Sequence, residues 1–508
     1  MFAKTYGSTT LGVDGIIIDV EVDVSNGLPS FDLVGLPDLS VKESKERVRT
    51  AIKNSGIQMP AGRVTINLAP ADIRKDSPGL DLPIAVALLS AYGLIPPQKT
   101  EQCLFAAELS LEGELRGIRG VLPMVIKARE RGFSAVFVAV DNVNEALLVD
   151  GIQVYALKNL VEVVDFLNDR RQCKPAEKAI ALPEPVVDAD DFADVQGQFI
   201  AKRAFEIAAA GGHNLLLVGV PGSGKTMLAR RMRSILPEMT PQEALEVTKI
   251  YSIAGLLKEN AGLIRQRPFR SPHHTTSAAA MIGGGSMPRP GEVTLSHHGV
   301  LFLDELPEFS KASLEALRQP LEDAVVTVSR VHASLTFPAS FVLIVALNPC
   351  PCGYFGDSHQ NCTCTANEIR HYTRKISGPL LDRIDIHIRV PRVEYKDLTS
   401  QHQAESSAVI RARVSASRNI QLKRLQRYHI FCNAQMSHAM LKRTCRLTAD
   451  AQQILAQVFQ QKSLSARSYD RIIKVARTIA DLDGALDIEE RHIAEAVQLR
   501  NDIGLQPE

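Results

Sequence analysis

The sequence has no tryptophan, and aromatic residues make up only 5% of its 508 positions. Contact with nucleic acid is therefore expected to rest on backbone phosphates rather than on stacked bases. Cysteine is scarce, eight in all, which excludes a disulfide scaffold in so long a chain. Four of the eight fall within the fifteen residues 350–364, a clustering that points to metal in a reducing compartment. No apolar run is long enough to span a bilayer, since the longest, around 82–96, is interrupted by Ser90, Tyr92 and Gly93. The opening residues MFAKTYGSTTLGVDG lack the apolar core of a secretory signal. Net charge is +1, so any attraction for polyanions must come from local basic clusters. A cytoplasmic protein with no membrane contact is expected.

Apolar residues at 45% and charged residues at 23% describe an ordinary globular chain. Its length predicts two to four domains. Residues 1–168 alternate between strand and helix patterns. VDGIIIDVEVDV alternates like strands, SVKESKERVRTAIKNSG carries a stripe of Val41, Val48 and Ile52, and PMVIKARERG is a helix closed by Gly132. Residues 169–190, rich in Pro and charge, predict a linker. From 191 to 392 the runs NLLLVGV, GVLFLDE and SFVLIVALN read as parallel strands covered on both faces. Beyond about 393 helical patterns dominate through 508. No internal repeat is visible. The expected fold class is multidomain α/β with a helical C-terminal domain.

GVPGSGKT comprises Gly219, Val220, Pro221, Gly222, Ser223, Gly224, Lys225 and Thr226. It follows a strand and opens a helix, the context a phosphate-binding loop requires. The loop would wrap the phosphates of ATP, with Lys225 reaching the β- and γ-phosphates and Thr226 ligating Mg²⁺. Asp304 at the end of GVLFLDE would complete the Mg²⁺ site, and Glu305 would deprotonate the attacking water. Asn348 ends the next strand, where it could align that water. Arg383, in SGPLLDRIDIHI, offers the γ-phosphate a cation that a neighbouring subunit could supply in trans. Arg467, in SLSARSYDRIIKVART, starts a helix and is a second cation that could contact the phosphates.

Taken in order, DFADVQGQ, the phosphate loop, LFLDE, ALN, LLDRID and SAR resemble an AAA+ ATPase core with its C-terminal helical lid. The stretch 267–309 is similar to the magnesium-chelatase-like branch. That resemblance covers about 190–505. It implies a homohexamer, Arg383 as the finger acting across the interface, Arg467 as the sensor-2 arginine, and pore-directed insertions near 282–293 and at the turn Arg330–His332.

Residues 1–168 resemble the C-terminal domain of Lon proteases. Matching KDSPGLD (75–81) to the family's nucleophile turn puts Gly79 where the serine belongs. Matching RGVLPMVIKARERG (119–132) to its closing helix puts Leu122 where the lysine belongs. Neither residue can serve as nucleophile or base. Ser77, two residues early and across Pro78, does not replace the serine, so an inert module is expected. End to end, the chain looks like the ComM (YifB) family. The resemblance implies a DNA motor that drives branch migration during natural transformation, with single-stranded and branched DNA and other recombination proteins as partners.

Cys350, Cys352, Cys362 and Cys364 form a C-x-C-x₉-C-x-C pattern. Four thiolates suit tetrahedral Zn²⁺, and reduced cysteines with a structural or redox role fit the same spacing. The loops 265–274, 283–291 and 329–332 are basic and would track phosphate backbone. The basic run 411–429 reads instead as a solvated helix face. Two other activities compete. One is a magnesium-chelatase-type motor acting on a metal-insertion partner, disfavoured because that subunit is expected to lack a Lon-like domain. The other is an ATP-dependent protease, disfavoured by the missing Ser/Lys pair.

Overall fold

The computed structural model describes residues 1–75, 77–178, 190–257, 262–285, 288–330, 333–393, 404–428, 430–461 and 465–500. The chain divides into two compact units, Met1–Glu184 with Ala244–Ile264, and Pro185–Glu243 with Arg265–Glu508. Residues 244–264 thus belong to the first unit although they are flanked in sequence by the second.

The first unit is built on a seven-stranded sheet in the order Ser30–Val34, Arg63–Ala69, Asp14–Ser25, Phe2–Leu11, Cys103–Ala106, Ala135–Ala139, Gln153–Leu157. Asp14–Ser25 pairs antiparallel with both its neighbours, whereas the last four strands run parallel. The alternation seen in the sequence buries Ile18, Val20, Val22 and Val24 on one face. Ala135–Ala139 is buried at all five positions, as a parallel strand covered on both faces must be. Helix Asp81–Ala91 is buried along its whole length of eleven residues, which marks it as a core helix rather than an amphipathic one. Its buried Asp81 accepts from Arg47 Nε at 2.8 Å and from the Leu109 N–H at 3.2 Å.

The second unit holds five parallel strands in the order Phe269–Arg270, Val300–Leu303, Val342–Leu347, Leu215–Val218, Ile386–Arg389. In chain order this is 2-3-4-1-5, so the winding reverses at the first strand. Ligands bind at the carboxyl ends of strands beside such a reversal. Two hairpins leave this framework, Gly283–Gly284 with Arg289–Pro290 and Val325–Arg330 with Ala333–Pro338. The expected pore-directed turn at 330–332 lies largely outside the described residues, as do Ser286 and Met287 of the first hairpin.

Helices Ser407–Leu425, His438–Thr444, Ala449–Gln461, Ala466–Leu482 and Glu490–Gln498 follow. One continuous apolar cluster joins them to the sheet, from Ile410, Val414 and Ile479 to Leu215 and Ile386. The basic run 411–429 is only in part the solvated face its composition suggested, with Lys423 and Arg427 exposed. Arg413 pairs with Glu206 at 2.5 Å, Arg418 donates to the Ala209 carbonyl at 2.7 Å, and Arg424 pairs with the buried Asp481 at 2.6 Å. Charge along one helix does not reveal acids on the helices packed against it. No described helix is long and apolar enough to cross a membrane.

Candidate active site

The phosphate loop leaves the carboxyl end of Leu215–Val218 and opens helix Lys225–Ile235, with Gly224 as its N-cap at φ 89°. The helix therefore directs its positive end and free N–H groups at the loop. Glycine is required at two of its positions for different reasons. A Cβ at Gly219 would lie 2.5 Å from the Val390 carbonyl oxygen, whereas Gly222, at φ 78°, faces open space. An open, glycine-walled cradle fits a nucleotide phosphate.

Lys225 is buried, and its Nζ donates to the carbonyls of Gly219 at 2.6 Å and Val220 at 3.0 Å, and to Asn348 Oδ1 at 3.1 Å. Burial pushes its ammonium below the usual lysine range, with Asp304 and Glu305 pulling it back. Thr226 Oγ1 donates to Asp304 Oδ2 at 2.7 Å. A hydroxyl and a carboxylate in contact are the hard-oxygen donors that Mg²⁺ takes. Glu305 sits at φ 50° with an exposed side chain, and its N–H donates to Asp304 Oδ1 at 3.0 Å. His274 Nδ1 lies 3.7 Å from Glu305 Oε2. Glu305 and Asn348 share the wall of a cavity of about 580 Å³ with Pro351, His371 and Tyr372. Burial pushes the Tyr372 hydroxyl up to about 12, with the nearby Asn348 backbone pulling it down.

Lys225, Thr226, Asp304, Glu305 and Asn348 are thus gathered at one place. The two arginines are gathered elsewhere. Arg383 is nearly buried, donates to the Pro379 carbonyl at 2.6 Å and pairs with Glu322. Arg467, 64% exposed, lies 3.7 Å from the same Glu322 carboxylate. Glu322, Tyr372 and His274 were not singled out from the sequence, and no motif marks them, because their partners are distant along the chain.

The four cysteines converge. Their sulfurs all lie within 4.8 Å of one another, with Cys350 to Cys352 at 3.3 Å, Cys350 to Cys362 at 3.7 Å and Cys352 to Cys362 at 3.6 Å. A tetrahedron of zinc–sulfur bonds of about 2.3 Å has edges of about 3.8 Å, so the donor set fits that ion.

In the first unit, Gly79 has no room for a side chain. A Cβ there would lie 2.4 Å from Ile118 Cδ1, so a serine could not stand at this position without displacing that neighbour. Leu122 is completely buried. Ser77 Oγ accepts from the Gly79 N–H at 3.2 Å as a helix cap, and the buried Lys75 donates to the Gly35 carbonyl at 2.9 Å and to the Pro70 carbonyl. Asp76 lies outside the described residues.

The basic loop 265–274 is corrected in part. Arg267 is held by Glu243 at 3.2 Å and by the Pro237 carbonyl at 2.6 Å, and Arg270 forms a two-pronged pair with Glu292 at 2.7 Å on each prong. Both guanidinium groups are occupied inside the unit, so neither is free for phosphate. Arg265 and Arg289 remain exposed.

Residues 191–398 match a family model described as Magnesium chelatase, subunit ChlI, and 404–500 match the C-terminal model of the same subunit. Residues 20–142 match a model described as Subunit ChlI of Mg-chelatase. The first unit therefore does not by itself separate this chain from chelatase subunits, contrary to the expectation that such subunits lack it. The chain is 42% identical to the Competence protein ComM of Haemophilus influenzae over 502 residues, 98% of this chain and 97% of that one. It is 42% identical to YifB of Escherichia coli over 491 residues, 96% and 95% of the two chains. A partial likeness, 28% over 181 residues, links it to Lon protease 2 of Bacillus subtilis, 32% of each chain. With its two α/β sheets, its Lon-like similarity and its C-terminal helices, the chain belongs to the ComM/YifB family of magnesium-chelatase-like AAA+ proteins.

Proposed function

We propose that this chain is an ATP hydrolase that works as a homohexameric motor on single-stranded and branched DNA, promoting branch migration of recombination intermediates alongside other recombination proteins. The observation that carries the ATPase reading is the 2.7 Å bond between Thr226 and Asp304 beside a buried Lys225. The glycine loop holds the nucleotide phosphates, and Lys225 exchanges its carbonyl partners for phosphate oxygens. Thr226 and Asp304 hold Mg²⁺, which when bound neutralises phosphate charge. Glu305 accepts a proton as water oxygen bonds to the γ-phosphorus and the bond to the β–γ bridging oxygen breaks, leaving ADP and phosphate. Asn348 orients that water. Arg383 and Arg467, held together by Glu322, serve the site of the adjoining subunit. The four cysteines hold one Zn²⁺.

The DNA reading rests on near full-length likeness to a protein named for competence. Strand exchange on a synthetic three- or four-way junction tests it. Exchange is expected with ATP and not with a non-hydrolysable analogue. A chain that hydrolyses ATP, ignores DNA and responds to a porphyrin-bearing partner supports instead a chelatase-type motor, the reading favoured by the three family descriptions.

A further inference from the structure

The loop Cys350–Cys364 contains no helix or strand. Only Cys350 and Gly353 of its fifteen residues are buried, and two turn bonds, Gly353 N–H to the Cys350 carbonyl at 3.0 Å and Asp357 N–H to the Tyr354 carbonyl at 3.1 Å, mark its course. Apolar burial contributes little to such a segment, yet its four sulfurs meet. N–H groups point at two of them, Phe355 to Cys350 Sγ and Cys352 to Cys364 Sγ, each at 3.3 Å. Such donors are the outer partners that metal-bound thiolates take.

The loop also touches the catalytic wall at three places. Cys350 follows Asn348 by two residues. Gly353 presses on the phosphate loop so closely that a Cβ there would lie 2.6 Å from Pro221 Cδ. Cys364 is followed at once by Thr365, which caps helix Ala366–Arg374 in a reciprocal box with Glu368. That helix carries Tyr372, which lines the same cavity as Asn348 and Glu305. Arg389 closes the loop from outside, donating to the Phe355 and Gly356 carbonyls at 3.0 and 2.9 Å.

We propose that Zn²⁺ on Cys350, Cys352, Cys362 and Cys364 is a strut for the ATPase site, fixing Asn348 and Pro221 so that turnover of ATP, rather than its binding, depends on the metal. The proposal rests on the zinc reading above and goes beyond it. The cysteines are positioning residues, since none reaches the phosphates.

The test uses the full chain, with zinc measured by plasma mass spectrometry and kcat and KM measured for ATP. One zinc per chain is expected. Cys364→Ser should lose it and lower kcat about tenfold with KM within about twofold. Cys364→His should keep zinc and recover most of kcat, because imidazole is also a zinc ligand. Gly353→Ala keeps all four ligands and should retain zinc while lowering kcat, because the contact with Pro221 is disturbed. A native chain without zinc overturns the zinc reading and the strut together. Zinc that is present, lost in Cys364→Ser, and without effect on kcat overturns the strut alone. If a melting curve shows that Cys364→Ser does not fold, Gly353→Ala decides, and an unchanged kcat in that variant overturns the strut.

Discussion

Gly79 and Gly222 open comparable loop-to-helix turns in the two units, and they differ in what surrounds them. A side chain at Gly79 would strike Ile118 at 2.4 Å, while one at Gly222 would meet nothing within 4 Å. The associated lysine positions differ in the same sense. Leu122 is a packed core residue, whereas Lys225 is buried with three oxygen partners. A site that binds and reacts must keep a volume open and keep a charge on partners that a ligand can replace. At Gly79 that volume is taken by Ile118.

The sharpest way to break this contrast is in the second unit. Glu305→Gln should leave ATP binding intact and lower phosphate release by about a hundredfold or more. Arg383→Ala should lower it by about a thousandfold. Mixing Arg383→Ala with Lys225→Ala chains should restore part of the turnover, because each defect then falls on a different side of one interface. Undiminished hydrolysis in Glu305→Gln would remove the open site from the comparison.

Next in size is an attempt to rebuild the filled site. Gly79→Ser with Leu122→Lys should destabilise the chain by about 4 kcal/mol, through crowding at Ile118 and an unpaired buried ammonium. No peptide cleavage should appear. Calorimetry and a casein digest would check both, and recovered cleavage would overturn the inert reading.

The units should also respond oppositely to acid. His387, half-buried on strand Ile386–Arg389, is pushed down to about 4 by desolvation and by Arg500. The unfolded chain protonates this histidine below about 6.5 while the folded chain does not, so stability falls as pH drops from about 6.5 towards 4, by roughly 3 kcal/mol. In the first unit, burial raises Glu145 above the usual carboxylate range against bonds from Ser252 and the Leu122 N–H. Its folded form holds the proton more tightly, so its contribution is lost as pH rises through that range. Melting curves from pH 7 to 4.5 should therefore move the two units apart, and His387→Gln should flatten the response of the second.

The smallest effect is expected from Glu322→Gln. Loss of the carboxylate that holds Arg383 and Arg467 should lower turnover about threefold, since the pair is partly solvent-screened, with KM for ATP unchanged.

Much of the proposed ATPase site was legible because its parts are local. A phosphate loop is a run of eight residues between a strand and a helix, and Asp304, Glu305 and Asn348 each end an apolar run that can only be a buried strand. Strand Ile386–Arg389 was harder to see. It is short, and only packing beside Leu215–Val218 distinguishes it from the charged segment around Arg383. The arginines of 265–274 and 411–429 misled for a related reason. A guanidinium reads as exposed until its acid is known, and Arg424 finds Asp481 from 57 residues away.

Alternation, helical stripes and glycine spacing by themselves indicated the α/β fold class, the helical end and the glycine loop proposed to hold phosphate, because each is written within a turn or a strand of chain. Tertiary structure alone decided that Ile118 fills the space beside Gly79, that Glu322 collects two arginines, one of them 61 residues further on, that four sulfurs converge and that Tyr372 lines one cavity with Asn348. Those relations join residues whose distance in the chain says nothing of their distance in space, and only the folding of the sheets and their helices brings them within contact range.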